Sequence, residues 1–229
     1  MTNTVLTADR LCAGHGGTRV VHDLDLHVDS GEIVALIGPN GAGKTTTLMT
    51  LAGVVASQSG SVAIGGVVMT SPLHIRARRG LAVVTQERSV FMGLSVRDNL
   101  RLGSGPPEDA LELFPELEAL QGRKAGVLSG GEQQMLTMGR ALASKPKVLL
   151  VDELSIGLAP QVVSRLLDAL TVAASTGVGI LLVEQKLDQA LAVSNRAYLM
   201  RRGHIEFEAP SADLRTRTED VHRMYLSNS

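Results

Sequence analysis

The stretch from Glu32 to Thr45 constrains the fold more than any other part of the chain. Glu32-Ile-Val-Ala-Leu-Ile37 is a short apolar run, the pattern of a strand buried on both faces. It passes straight into Gly38-Pro-Asn-Gly-Ala-Gly-Lys44-Thr45, and Ala42–Val54 then reads as a helix. Gly-x-x-x-x-Gly-Lys-Thr between a strand and a helix is a phosphate cradle of the Walker A type. Its glycines take φ > 0 without a Cβ clash, so successive N–H groups can turn inward as a nest, and the helix adds its positive end. On this reading Gly38, Asn40, Gly41, Ala42, Gly43 and Thr46 contact the nucleotide. Lys44 reaches the β- and γ-phosphates, and the Thr45 hydroxyl ligates Mg²⁺.

The rest of the pattern supplies a frame for that loop. Half-exposed strands are expected at Thr4–Ala8 and Val20–Val28, a turn at Ser57–Gly60 ending the first helix, and a β patch at Ser61–Val68 broken by Gly65-Gly66. A short helix is expected at Pro72–Arg79 and a buried strand at Leu81–Val84. Helices follow at Ser95, where Ser95-Val-Arg-Asp98 has capping-box spacing, at Pro106-Pro107 and at 130–144. Strand Lys147–Val151, helix Pro160–Ser175, strand Gly179–Val183, helix Lys186–Val193 and strands near Arg196–Met200 and His204–Glu208 complete the chain. Strands alternating with helices predict an α/β fold: a P-loop NTPase (RecA-like) core around a mostly parallel sheet, with a small antiparallel β subdomain. The block from about 87 to 142 lacks strands and is expected to be an α-helical subdomain inserted into one domain spanning 1–229.

Composition excludes several classes of function. Hydrophobic residues make up 44% of the 229, enough for a large core. Net charge is −1 and aromatics are 2%, so neither the basic footprint nor the stacking platform of a nucleic-acid binder is present. The single cysteine, Cys12, allows no internal disulfide, which fits a reducing compartment. The apolar runs fall far short of the roughly 20 residues of a membrane span, and the polar Met-Thr-Asn-Thr start does not read as a signal peptide.

Val148-Leu-Leu-Val-Asp152-Glu153 is a buried strand ending in two carboxylates. Downstream of a phosphate cradle, an acid at a strand's C-terminal edge is placed to hold Mg²⁺, the role expected of Asp152. Glu153 is then placed to orient and deprotonate an attacking water. Adjacent carboxylates repel when both are ionised, so one of the two is expected to titrate high in the absence of the ion.

Leu128-Ser129-Gly130-Gly131-Glu132-Gln133-Gln134 is more restrictive still. Lying between the two phosphate-chemistry motifs, it resembles the signature of ABC-transporter ATPases, and the resemblance runs through the whole chain in order. It implies two such domains packed head to tail, with Ser129, Gly130, Gly131 and Glu132 covering the ATP held by the neighbour's cradle. It also implies a Q-loop glutamine at Gln86, sensing Mg²⁺ and the membrane partner, and a D-loop at Ser155-Ile-Gly-Leu158. Three positions depart from the family pattern. His15 replaces the aromatic that stacks on adenine, Leu154 replaces a proline, and Gln185 replaces the switch histidine. A glutamine can hydrogen-bond a γ-phosphate but cannot become cationic.

Val183-Glu-Gln185 and Ser-Ile-Gly-Leu-Ala-Pro160 resemble the branched-chain amino acid importer branch of the family, although that branch often carries Glu at the position of Gln86. The implied partners are a second ATPase subunit, identical or paralogous, two membrane permeases and, indirectly, an external solute-binding protein. The implied location is cytoplasmic, peripheral on the inner face of the membrane. Importers of urea or other amides share the pattern, and a non-transport ATPase of the cofactor-assembly type is the other alternative, since the chain has neither a long coiled-coil insert nor a second cassette. Val90-Phe91-Met92 reads either as core or as a docking surface for a permease loop. No Asn-Lys-x-Asp motif supports a GTPase.

Overall fold

In the computed structural model, residues 3–216 are described. Residues 1–2 of the polar N-terminal tetrapeptide and residues 217–229, both inside the expected domain, lie outside the described residues. The chain opens with β1 (Thr4–His15), β2 (Thr18–Asp29) and β3 (Ile33–Ile37), then α1 (Lys44–Ala52), β4 (Ser57–Ile64), β5 (Val67–Val68), α2 (Leu73–Arg78) and β6 (Leu81–Val84). Helices α3 (Val96–Arg101), α4 (Pro107–Leu113) and α5 (Gly130–Ala143) follow, with 3₁₀ stretches at Pro115–Leu120 and Ala125–Val127. The remainder is β7 (Val148–Asp152), α6 (Pro160–Ser175), β8 (Gly179–Glu184), α7 (Leu187–Val193), β9 (Arg196–Arg201), β10 (His204–Pro210) and α8 (Ser211–Thr216).

Two sheets result. An antiparallel one runs β2-β1-β4-β5, and a six-stranded one runs β10-β9-β3-β8-β7-β6. In the second, β9, β3, β8, β7 and β6 are parallel and only β10 is antiparallel. This is the expected α/β class. The central strands are buried on both faces, which is why they read as unbroken apolar runs. In β7, Leu149 and Val151 pack with Phe114, Leu136 and Leu166 on the helical side. Val148 and Leu150 face the other way, toward Leu48, Leu51 and the inner face of β1 and β2.

Two expectations near the cradle are corrected. Ser57–Gly60 is not a turn but the first half of β4, paired with β1. Gly60, at φ 77°, sits where the β1–β4 register shifts, and a Cβ there would lie 2.2 Å from the Arg10 carbonyl oxygen. The glycine that suggested a turn marks a β-bulge. The first helix ends earlier, at the left-handed cap Gly53, whose N–H donates to the Met49 and Thr50 carbonyls. A second element holds that end. Buried Arg76 donates to the carbonyls of Thr50, Leu51, Met69 and Ser71 at 2.7–3.0 Å. Arg76→Met takes the guanidinium donor from all four carbonyls, of which Thr50 keeps the Gly53 N–H, with an expected loss of roughly 2 kcal/mol in urea denaturation.

The two serine-led caps show how one methylene matters. At α5, Ser129 Oγ accepts from Glu132 N–H and the Glu132 carboxylate accepts from Ser129 N–H, a complete capping box. At α3, Ser95 Oγ accepts from Asp98 N–H, but the shorter Asp98 carboxylate takes the Ser95 hydroxyl instead of its N–H.

Candidate nucleotide site

Buried β3 drives the chain into the phosphate cradle, and Gly38 is its first close contact. A Cβ at Gly38 would lie 2.2 Å from the Met200 carbonyl oxygen on β9, so only glycine lets the loop leave the sheet here. The β9–β10 hairpin braces the loop's far side, where Gly203 N–H donates to the Ala42 carbonyl at 2.9 Å. Lys44 is only 5% exposed, and its ammonium donates to the carbonyls of Gly38 (2.7 Å) and Pro39 (3.1 Å). Burial pulls its pKa down, against the opposing pull of Glu153, Asp152 and Glu184. Asn40, Gly41, Ala42, Gly43, Lys44, Thr45 and Thr46 line an open cleft of about 360 Å³ together with Val20, Glu153 and Gln185.

Asp152 ends β7 immediately behind the cleft. Its carboxyl is buried and hydrogen-bonded by the Thr45 side chain, while Oδ1 has no hydrogen-bond partner. Its pKa is pushed up to about 6, by burial first and by Glu153 second. One acid of the pair therefore does titrate high, but loss of solvent is a larger cause than repulsion. An orphaned carboxylate oxygen beside a hydroxyl is a hard-oxygen set that fits Mg²⁺. Among the described residues no group of three or more His, Cys, Asp or Glu could hold a metal. Mg²⁺ suits that arrangement, because it is usually held by one or two protein oxygens with phosphate and water completing the shell.

The raised pKa has a consequence for stability. Asp152 is protonated in both folded and unfolded chains below 3.8 and ionised in both well above about 6. Its favourable contribution is thus full at low pH and lost as pH rises through about 6. Asp152→Asn is expected to raise the thermal midpoint of the ligand-free protein at pH 7.5, with the gain vanishing near pH 4 in a pH-resolved melting series.

Glu153 adopts φ 48°, a left-handed conformation uncommon outside glycine, and its N–H donates to the Val183 carbonyl at 2.9 Å. Its Oε1 accepts from Gln185 Nε2 at 2.6 Å, so the residue standing for the switch histidine touches the expected base directly. The sequence reading missed Glu184. It is 1% exposed, and its carboxylate accepts from Ser155 N–H (3.0 Å), Ser155 Oγ (3.1 Å) and Gln185 N–H (3.2 Å). Burial pushes its pKa up, and the hydrogen bonds oppose that shift. The available signal was an acid at the end of an otherwise apolar strand, the same signal that marked Asp152.

Other expected site residues do not line this cleft. His15 is exposed at the β1–β2 turn, Gln86 is exposed in the loop after β6, and Ser129, Gly130, Gly131 and Glu132 start α5. The loop after β6 does reach the signature: the Arg88 guanidinium lies over Gly130, and Gly126 N–H donates to the Met92 carbonyl at 3.0 Å. Phe91 and Met92 are half exposed, which removes the core reading for both.

Strand, cradle, buried acid and cleft together define a P-loop nucleoside triphosphatase. A family model described as ABC transporter matches residues 21–155, more than half the chain. Over 232 residues the chain is 41% identical to the high-affinity branched-chain amino acid transport ATP-binding protein BraG of Pseudomonas aeruginosa, covering 97% of this chain and 99% of that protein. It is 39% identical over 233 residues to the lipopolysaccharide export system ATP-binding protein LptB of Escherichia coli, covering 96% of each. A solved ATP-binding subunit of an ABC transporter superposes with a TM-score of 0.80 at 27% identity, covering 94% of this chain and 93% of that one. The chain belongs to the ABC transporter ATP-binding family and is an ATPase of that family.

Proposed function

We propose that this ATPase, acting as one nucleotide-binding domain with a helical subdomain at about 87–142, drives an importer of branched-chain or related amino acids. The observation that carries the site assignment is the single cleft where the Lys44 loop, Glu153 and Gln185 meet in front of buried Asp152. The solute class rests on the similarity to BraG and, at 37% identity over 221 residues, to the probable branched-chain amino acid transport ATP-binding protein LivF of Archaeoglobus fulgidus.

In this reading Lys44 and the loop N–H groups bind the β- and γ-phosphates, and Glu153, held by Gln185, accepts the proton of the attacking water. Thr45, Asp152 and Gln86 would hold Mg²⁺, which would supply charge neutralisation on the phosphates when bound. His15 would lie beside the adenine. Ser129–Glu132 close over the nucleotide of a second ATPase subunit, and the exposed Phe91–Met92 surface docks a permease loop on the inner face of the membrane. No helix among the described residues is long and apolar enough to cross a membrane, so transport rests on the two permeases, with a solute-binding protein delivering to them.

The similarity to LptB favours a second reading, the ATPase of a lipopolysaccharide exporter. Reconstitution in proteoliposomes with candidate permeases and a solute-binding protein separates the two. Import predicts ATP turnover stimulated by leucine, isoleucine or valine on the binding protein. Stimulation by lipopolysaccharide or by urea alone would replace the amino-acid assignment. Unchanged transport and permease association in Phe91→Asp would remove the docking surface.

A further inference from the structure

The parallel ladder between β7 and β8 ends where the cleft begins. Its last rung is Glu153 N–H to the Val183 carbonyl, and the next donor on the β7 side, Ser155 N–H, is buried and has no strand to pair with. A buried amide must find a partner, and here it finds the Glu184 carboxylate. One small acceptor would satisfy one N–H. The fully buried anion does more, because three donors converge on it from the two segments that flank Glu153: Ser155 N–H, Ser155 Oγ and Gln185 N–H. Gln185 in turn donates its side-chain amide to Glu153 Oε1 at 2.6 Å.

We infer that Glu184 is the positioning residue of this ATPase: it ties the segment after Glu153 to Gln185 and so fixes the base in its left-handed conformation facing the cleft. The inference rests on the reading of Glu153 as the base that activates water. Glu184 is buried and does not line the cleft, so it acts through Ser155 and Gln185. It also joins the 155–158 segment to the residue that touches the base, so a displacement of Ser155 is transmitted to Glu153 through one carboxylate. The buried carboxylate costs desolvation, and the three hydrogen bonds donated by Ser155 and Gln185, which together bracket Glu153, offset it.

The test is steady-state ATP hydrolysis by the full chain with Mg²⁺, in Glu184→Gln and in Ser155→Ala. The amide of Glu184→Gln offers one acceptor oxygen and turns an N–H₂ toward a donor, so part of the bracket is lost. Misplacing a catalytic group by an ångström can cost about a hundredfold, so kcat is expected to fall roughly ten- to hundredfold in Glu184→Gln and less in Ser155→Ala. The KM for ATP should stay within about twofold of wild type, since neither variant alters the Lys44 loop. Adding Glu184→Gln to Glu153→Gln should lower the residual turnover no further, because the route through Glu153 is already gone.

An equal fractional loss in both backgrounds, a rise in KM matching the fall in kcat, or an unchanged kcat would each overturn the inference. Should Glu184→Gln fail to fold, Ser155→Ala, alone and combined with Glu153→Gln, decides by the same pattern. If Glu153→Gln itself hydrolyses ATP normally, the reading of the base falls and this inference with it. If Glu153→Gln is inactive while the Glu184 and Ser155 variants run at the wild-type rate, only this inference falls.

Discussion

Glu153→Gln is expected to reduce ATP turnover about 10²- to 10⁴-fold, the range a positioned general base supplies, or roughly 2.7–5.5 kcal/mol in the barrier. The substitution is close to isosteric, and the replacement amide keeps an oxygen able to accept from Gln185 Nε2, which now lies 2.6 Å from Glu153 Oε1. The backbone N–H of residue 153 also keeps its bond to Val183. What disappears is the proton acceptor, so the loss belongs in kcat and not in nucleotide affinity. ATP should therefore bind and stay bound. On the proposed head-to-tail arrangement, size-exclusion chromatography should find the variant as a dimer with ATP and the wild type largely monomeric after turnover. Hydrolysis at the normal rate would remove Glu153 from the chemistry.

The cradle was legible in the sequence because it is local: a buried strand, a glycine loop and a lysine follow one another within fourteen residues, 32–45, with no long-range contact needed to recognise them. The buried acid was legible for the same reason, as Val148–Val151 announces its own burial. What the sequence did not disclose depends on pairing between distant segments. Gly60 resembled a turn glycine because its role is set by Arg10 across the β1–β4 register shift. Glu184 was passed over beside Gln185 because its three donors come from Ser155, twenty-nine positions away, as well as from its own neighbour. The cause of the Asp152 shift was likewise misweighted, since charge repulsion is visible in a sequence and the depth of burial is not. Phe91 and Met92 could not be assigned to core or surface from composition, and only their half exposure in the fold decides it.

Lys44→Ala is expected to weaken ATP binding about a hundredfold or more, because a charge-assisted hydrogen bond contributes about 1.5–3 kcal/mol and the ammonium serves two phosphates. The ligand-free protein should change much less. Lys44 is a buried cation whose pKa is already lowered by loss of solvent, and its two bonds go to loop carbonyls, not to an anion. Removing it relieves that desolvation while leaving the Gly38 and Pro39 carbonyls short of a donor, two effects of opposite sign. The contrast is measurable in one experiment. A saturating ligand stabilises a protein by RT ln(1 + [L]/Kd), so ATP at about a hundred times the wild-type Kd adds roughly 2.7 kcal/mol to the wild type and only about 0.4 kcal/mol to a variant bound a hundredfold more weakly. Thermal melts of both proteins with and without ATP should show nearly equal midpoints without ATP and a large ATP-dependent rise in the wild type alone. An equal rise in both would mean that Lys44 folds over its own loop without taking part in phosphate binding.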